Sequence, residues 1–197
     1  MQWQTSLPLI AILRGITPDE ALAHVGAAIA AGFDTVEIPL NSPQWQQSIP
    51  AVVEAYGAQA LIGAGTVLQE AQVDRLAQLG ARLVVTPNVQ PAVIRRAVGH
   101  GMTVCAGCAT ASEAFTALEA GAQALKIFPS SAFGPDYIRG AESGFARVGA
   151  GICRRRRHAG KPGAMDRGRL CGRGAGQRSL SRRSAGNADR RAGRRIC

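Results

Sequence analysis

Six short apolar runs recur along the first 139 residues at intervals of about 20 to 26 residues, and this rhythm limits the fold more than composition does. They are Leu9 to Arg14, Thr35 to Leu40, Leu61 to Val67, Leu83 to Asn88, Met102 to Gly107 and Ala124 to Pro129. Each is strand length and is followed by a helix-like segment, so the chain reads as successive βα units. Thr17-Pro18-Asp19-Glu20 opens the first helix as a capping box with proline at its first position, and Thr110-Ala111-Ser112-Glu113 opens the fifth. Gly32, Gly57, Gly80, Gly99 and Gly121 are expected to close the helices. Strands alternating with helices imply a parallel sheet with right-handed crossovers. A closed eight-stranded barrel and an open doubly wound sheet both satisfy that rule.

The polar residues separate these two architectures. Arg14, Glu37, Thr66, Pro87 and Lys126 all stand at the C-terminal ends of their runs. In a (β/α)8 TIM barrel those ends converge on one face, whereas an open sheet spreads them along an edge. The expected fold is therefore an α/β barrel whose first six units occupy 1–139. Lys126 is the most telling of the five, being the only lysine before position 161 and lying within Ala-Leu-Lys-Ile-Phe-Pro. Strand alternation puts Ala124, Lys126 and Phe128 on one face, where apolar side chains pack. Burial disfavours an ammonium, and a neutral amine attacks carbonyls. Taken singly, Glu37 and Arg14 read equally well as a salt bridge, and Thr66 as an ordinary strand residue. Gly63-Ala64-Gly65-Thr66 lacks the lysine and spacing of a phosphate loop and signals close backbone packing.

Charge divides the chain in two. Residues 1–139 carry six arginines and one lysine against ten acids, and 140–197 carry fifteen arginines and one lysine against three. The net charge of +10 thus belongs to the second part alone. No run approaches the 18 or so apolar residues of a membrane span, and no basic-then-apolar leader opens the sequence, so a soluble cytoplasmic protein is expected. Five irregularly spaced cysteines fit a reducing compartment. Cys105-Ala-Gly-Cys108 has redox spacing but falls on a strand rather than at a helix start, and Cys153 and Cys171 supply no second pair for zinc.

Leu13-Arg14-Gly15, Val36-Glu37-Ile38-Pro39-Leu40, Gly63-Ala64-Gly65-Thr66-Val67, Val85-Thr86-Pro87-Asn88 and Leu125-Lys126-Ile127-Phe128-Pro129 occur in one order. Together they resemble the class I aldolases that cleave 2-keto-3-deoxy-6-phospho sugar acids. Glu37-Ile38-Pro39-Leu40-Asn41-Ser42-Pro43 is more similar to the galactonate branch than to the gluconate branch, which usually has Thr-Leu-Arg in place of Pro-Leu-Asn. The resemblance implies cleavage to pyruvate and glyceraldehyde 3-phosphate through an imine on Lys126, with Glu37 as general acid and base. It assigns the substrate carboxylate to Arg14 and Thr66, and an apolar wall to Pro87 and Phe128. It implies no metal or cofactor, a phosphorylated keto-deoxy sugar acid as the binding partner, and a homotrimer.

The pattern fails after Arg139. Only six Leu, Ile, Val or Phe residues occur in 140–197, and the βα punctuation disappears. Strands 7 and 8 of the family, with their glycine-rich turns, have no counterpart, so the barrel is expected to be incomplete. A one-base slip in reading frame near codon 139 accounts for this tail, because alanine and glycine codons read one base early give mostly Arg, Gly, Ser and Cys. The rivals are a disordered arginine-rich nucleic-acid-binding arm built around Arg154-Arg155-Arg156-Arg157 and the later arginine pairs, and a fold that apolar periodicity does not reveal. The tail has no aromatic residue after Phe145, which weighs against the nucleic-acid-binding arm.

Overall fold

The computed structural model describes residues 9–130, 132–134, 136, 137 and 140, and the backbone of 151–155 and 173–174. Strands and helices alternate as β1 (Ala11–Ile12), α1 (Pro18–Ala30), β2 (Thr35–Pro39), α2 (Trp45–Tyr56), β3 (Leu61–Gly65), α3 (Glu70–Gln78), β4 (Leu83–Val85), α4 (Pro91–Gly99), β5 (Thr103–Cys108), α5 (Ala111–Glu119) and β6 (Ala124–Ile127). All neighbouring pairs are parallel and adjacent in sequence order, so each helix is a crossover between paired strands.

Local chemistry places the boundaries. The Glu20 carboxylate accepts from the Thr17 backbone N at 3.2 Å at the start of α1. At the start of α5, Glu113 accepts from Thr110 N at 2.8 Å while Thr110 Oγ1 accepts from Glu113 N at 3.3 Å. These carboxylates satisfy amides that a helix start leaves open. Gly32, Gly80 and Gly121 follow their helices with φ of 95°, 77° and 102°. Two expected closures differ. Gly57 keeps a right-handed φ of −63°, and Gly99 is the last residue of α4, the left-handed turn falling at Gly101 with φ of 72°. A glycine in sequence marks a helix end to within a turn, and the backbone chooses which residue takes the positive φ.

Side chains sort onto two faces of the sheet. Val36, Ile38, Ile62, Ala64, Val84, Val104, Ala106, Leu125 and Ile127 pack with the buried stripes of the helices, such as Val25, Ile49, Val52, Leu76 and Ile94. The opposite, inner face holds Ile10, Leu83, Val85, Cys105 and Ala124, with Ile12 and Leu61 beside them. By alternation Glu37, Gly63, Gly65, Gly107 and Lys126 share the inner face.

Beyond β6 two further short segments join the sheet. They are β7 (Gly151–Arg155), whose Cys153 pairs with Lys126, and β8 (Arg173–Gly174), giving the order β1 to β8. Cα atoms of β8 and β1 approach within 8 Å of each other. Ladder bonds join backbone groups and need no apolar alternation, which is why a reading built on apolar runs does not find these two segments. The rest of the expected 140–197 tail, Gly140 apart, lies outside the described residues.

Candidate active site

Each strand end is tied to its neighbour by one bond beyond the strand itself. Leu13 N donates to Glu37 O at 3.0 Å, Leu40 N to Gly65 O at 2.8 Å, Val67 N to Val85 O at 3.3 Å, Thr86 N to Cys105 O at 3.1 Å and Phe128 N to Cys108 O at 3.0 Å. The loops carrying the polar residues therefore start from a fixed rim.

Glu37 sits in the middle of β2 and is only 2% exposed, an unusual state for a carboxylate in a sheet. Its place is made by a missing side chain: a Cβ on Gly65 would lie 2.5 Å from Oε1 and 2.7 Å from Cδ of Glu37. A carboxylate enclosed between strands is a functional-site candidate.

Arg14 follows β1 and is half-buried. Its Nη1 donates to Asn41 Oδ1 at 3.3 Å, while its Nε is buried with no hydrogen-bond partner. The guanidinium's planar fork suits a carboxylate. The next residue, Gly15, has φ of 78° and donates its N to the buried Ser42 Oγ at 2.9 Å. Thr66 has φ of 62°, in the left-handed region that a β-branched residue rarely enters. Such strain costs on the order of 1–3 kcal/mol and clusters at functional sites.

Lys126 lies on β6, half-buried rather than sealed in the core, with Nζ 5.5 Å from the centroid of the Phe128 ring. That distance is within cation–π reach. The Phe128-Pro129 peptide is cis. Pro87 is also half-buried and follows β4. All six residues that the sequence singles out thus stand on strands or at their C-terminal ends. Cys105 and Cys108 are free and buried, and burial, with smaller repulsion from Cys105 and Glu113, pushes the Cys108 thiol up to about 12. That thiol is inert at neutral pH, against the redox reading.

Sequence reasoning missed Asn41, Ser42, Thr86 and the roles of Gly65 and Gly107. The available signal was residue size: glycines at alternating strand positions make room, as the Gly63 to Thr66 stretch suggested. A Cβ on Gly63 would run into the backbone carbonyl of Leu83, and one on Gly107 into the backbone of Pro87 and Thr86.

A parallel α/β sheet with polar residues on its strands and just past their C-terminal ends is the arrangement seen in strand-end enzymes. The family model for KDPG and KHG aldolases matches residues 2–150, and the chain belongs to that family. It is 81% identical over 139 residues to the 2-dehydro-3-deoxy-6-phosphogalactonate aldolase of Escherichia coli (strain K12), covering 71% of this chain and 68% of that one. It is 31% identical over 128 residues to the 2-dehydro-3-deoxy-phosphogluconate aldolase of Treponema pallidum (strain Nichols), covering 65% of this chain and 59% of the relative. The chain thus spans between 59% and 68% of the length of these two relatives. The solved native KDPGal structure superposes with a TM-score of 0.82 at 61% identity, covering 92% of this chain and 89% of that one. A designed cube-shaped cage built by fusing symmetric oligomeric domains matches at 72% identity with a TM-score of 0.74, covering 77% of this chain and 56% of that one.

Proposed function

We propose that the chain is a Schiff-base aldolase cleaving 2-dehydro-3-deoxy-6-phosphogalactonate to pyruvate and glyceraldehyde 3-phosphate. The carrying observation is Glu37, an enclosed carboxylate seated over Gly65 on the sheet face that also bears Lys126. The 81% identity to a galactonate-branch enzyme supports the choice of epimer. The nucleic-acid reading gains nothing from relatives that are aldolases.

In this reading the Lys126 nitrogen attacks the C2 ketone, and water leaves as the imine forms. The iminium accepts the electron pair of the C3–C4 bond as Glu37 takes the C4 hydroxyl proton, releasing the aldehyde and leaving an enamine. Glu37 also moves protons during carbinolamine formation and returns one to C3 of the enamine, after which water adds to the imine and releases pyruvate and the free amine. Arg14, through its guanidinium fork, and Thr66, through its hydroxyl, hold the substrate carboxylate. Pro87 and Phe128 form the apolar wall around the reacting carbons. The lysine supplies the electron sink, so the scheme requires no cofactor.

The proposed architecture is the (β/α)8 barrel, supported by the strand order and by the approach of β8 to β1. Residues 140–197 are proposed to derive from a frame slip. The E. coli match extends over 139 residues, the same length as the motif-bearing part of this chain. Such a slip removes the family's phosphate-gripping turns, so activity is expected to be impaired. A cytoplasmic homotrimer is the proposed state. No helix among the described residues is long and apolar enough to cross a membrane, and the cage match is to a protein built from symmetric oligomeric domains.

Purified chain incubated with the galacto and gluco epimers of the 6-phosphorylated acid, with pyruvate release followed by a coupled assay, tests the reading. Pyruvate from the galacto epimer that disappears in Lys126→Met is the expected result. Release that survives this substitution contradicts the assignment.

A further inference from the structure

Thr86 belongs to none of the roles assigned above, yet its side chain joins two parts of the site. It is 1% exposed, at the point where β4 ends. Its backbone N makes the last regular rung, donating to Cys105 O at 3.1 Å. At the next rung the side chain takes over: Thr86 Oγ1 accepts from Gly107 N at 3.2 Å and donates to Asn88 O at 2.7 Å. One hydroxyl therefore extends the β4–β5 ladder and closes a turn around Pro87, using both its donor and its acceptor capacity.

Both attachments lead to the imine chemistry. The Asn88 bond fixes the turn that presents Pro87, and the main chain of Pro87 packs on Gly107 so closely that position 107 has no room for a Cβ. The Gly107 bond fixes β5, the strand on which the lysine strand is laid, because Gly107 is the register partner of Lys126 across β5–β6. Cys108 O in turn accepts from Phe128 N at 3.0 Å. Thus the apolar wall on one side and the lysine strand on the other are referenced to a single buried oxygen.

We infer that Thr86 is a positioning residue for the imine-forming centre: its hydroxyl sets the spacing between Pro87 and the β5–β6 pair carrying Lys126. This rests on the reading of Lys126 as the Schiff-base nucleophile. Small misplacements of reacting groups cost rate steeply, about a hundredfold for 1 Å. The hydroxyl should therefore be felt in the rate of imine formation, beyond any effect on stability.

The test compares the full-length chain with Thr86→Val and Thr86→Ser. Each is incubated with pyruvate, quenched with borohydride at successive times, and the fraction carrying the reduced adduct is measured at a temperature where circular dichroism shows it folded. Thr86→Ser should trap within about threefold of wild type, because it keeps both bonds, and Thr86→Val at least about tenfold more slowly. In steady-state cleavage the loss should fall on kcat more than on KM, since the anion contacts of Arg14 are untouched. If Thr86→Val does not fold, Thr86→Cys, with its weak donor and acceptor sulfur, should trap at a rate between those of serine and wild type on one side and a tenfold deficit on the other. Trapping of Thr86→Val at the wild-type rate overturns the inference, as does a serine variant as slow as the valine one. A wild-type chain that traps no pyruvate sinks the lysine assignment itself, a different failure from one seen only among the variants.

Discussion

Glycine at position 65 is the residue on which the carboxylate's placement turns, because no other side chain leaves room for Glu37 there. Gly65→Ala would put a methyl 2.5 Å from Oε1, at the movable end of the glutamate, so the carboxylate swings aside while the strand stays. The expected outcome is a fall in kcat of about a hundredfold with a stability loss of about 1–3 kcal/mol, measured by steady-state kinetics and denaturant unfolding. Gly107→Ala meets backbone instead, with Thr86 O 2.7 Å from the new methyl, so its cost should appear mainly as lost stability. Thr66 gives the complementary case. Thr66→Gly relieves the φ of 62° and should hold or raise Tm while KM for the sugar acid rises, because the hydroxyl is gone. Lys126, Glu37 and Arg14 were legible because a charged residue inside an apolar run is conspicuous. The hydroxyl of Thr86 was not, since its meaning lies in a bond to Gly107, 21 positions away.

Elements were legible to the extent that local chemistry decides them. Capping boxes at Thr17 and Thr110 fix two helix starts, and apolar runs locate six strands, although each strand is shorter than or offset from its run because the ends turn into loops. The pairing of α3 with α4 was invisible, since it depends on side chains 22 and 26 positions apart. Arg96 grips Asp74 with Nε at 2.7 Å from Oδ1 and Nη2 at 3.0 Å from Oδ2, and His100 Nε2 lies 2.8 Å from Oδ1. The Arg96 hydrogen bonds foremost, then His100, hold the Asp74 carboxyl down from 3.8 to about 2. A depressed carboxyl stabilises the fold above its unfolded pKa and loses that contribution as pH falls through the folded one. Wild type should therefore unfold less readily than Asp74→Asn at neutral pH, and the two unfolding curves should converge between pH 3.8 and about 2. Because the pair is solvent-exposed, the gap at neutral pH should be small and should shrink further in high salt.

The whole molecule joins an aldolase-type sheet to a segment whose arginines give the chain its net positive charge. Periodicity and strand-end chemistry made the first six units readable, whereas β7 and β8 escaped because their pairing is a property of backbone and not of apolar pattern. If the tail stems from a frame slip, replacing residues after 139 with the corresponding part of the E. coli relative should lower KM for the 6-phosphorylated acid. Trapping of pyruvate, which has no phosphate to grip, should change little, as remote binding energy serves only a substrate that carries the group. An unchanged KM would argue that the existing segment already holds the phosphate. The chemistry proposed for this chain stands on the imine, and its decisive test is borohydride reduction of the wild-type chain in the presence of pyruvate, followed by peptide mapping. One reduced adduct is expected, on Lys126, absent from Lys126→Met and slowed in Glu37→Gln; an adduct on Lys161, or none on the folded chain, would rule out the Lys126 imine.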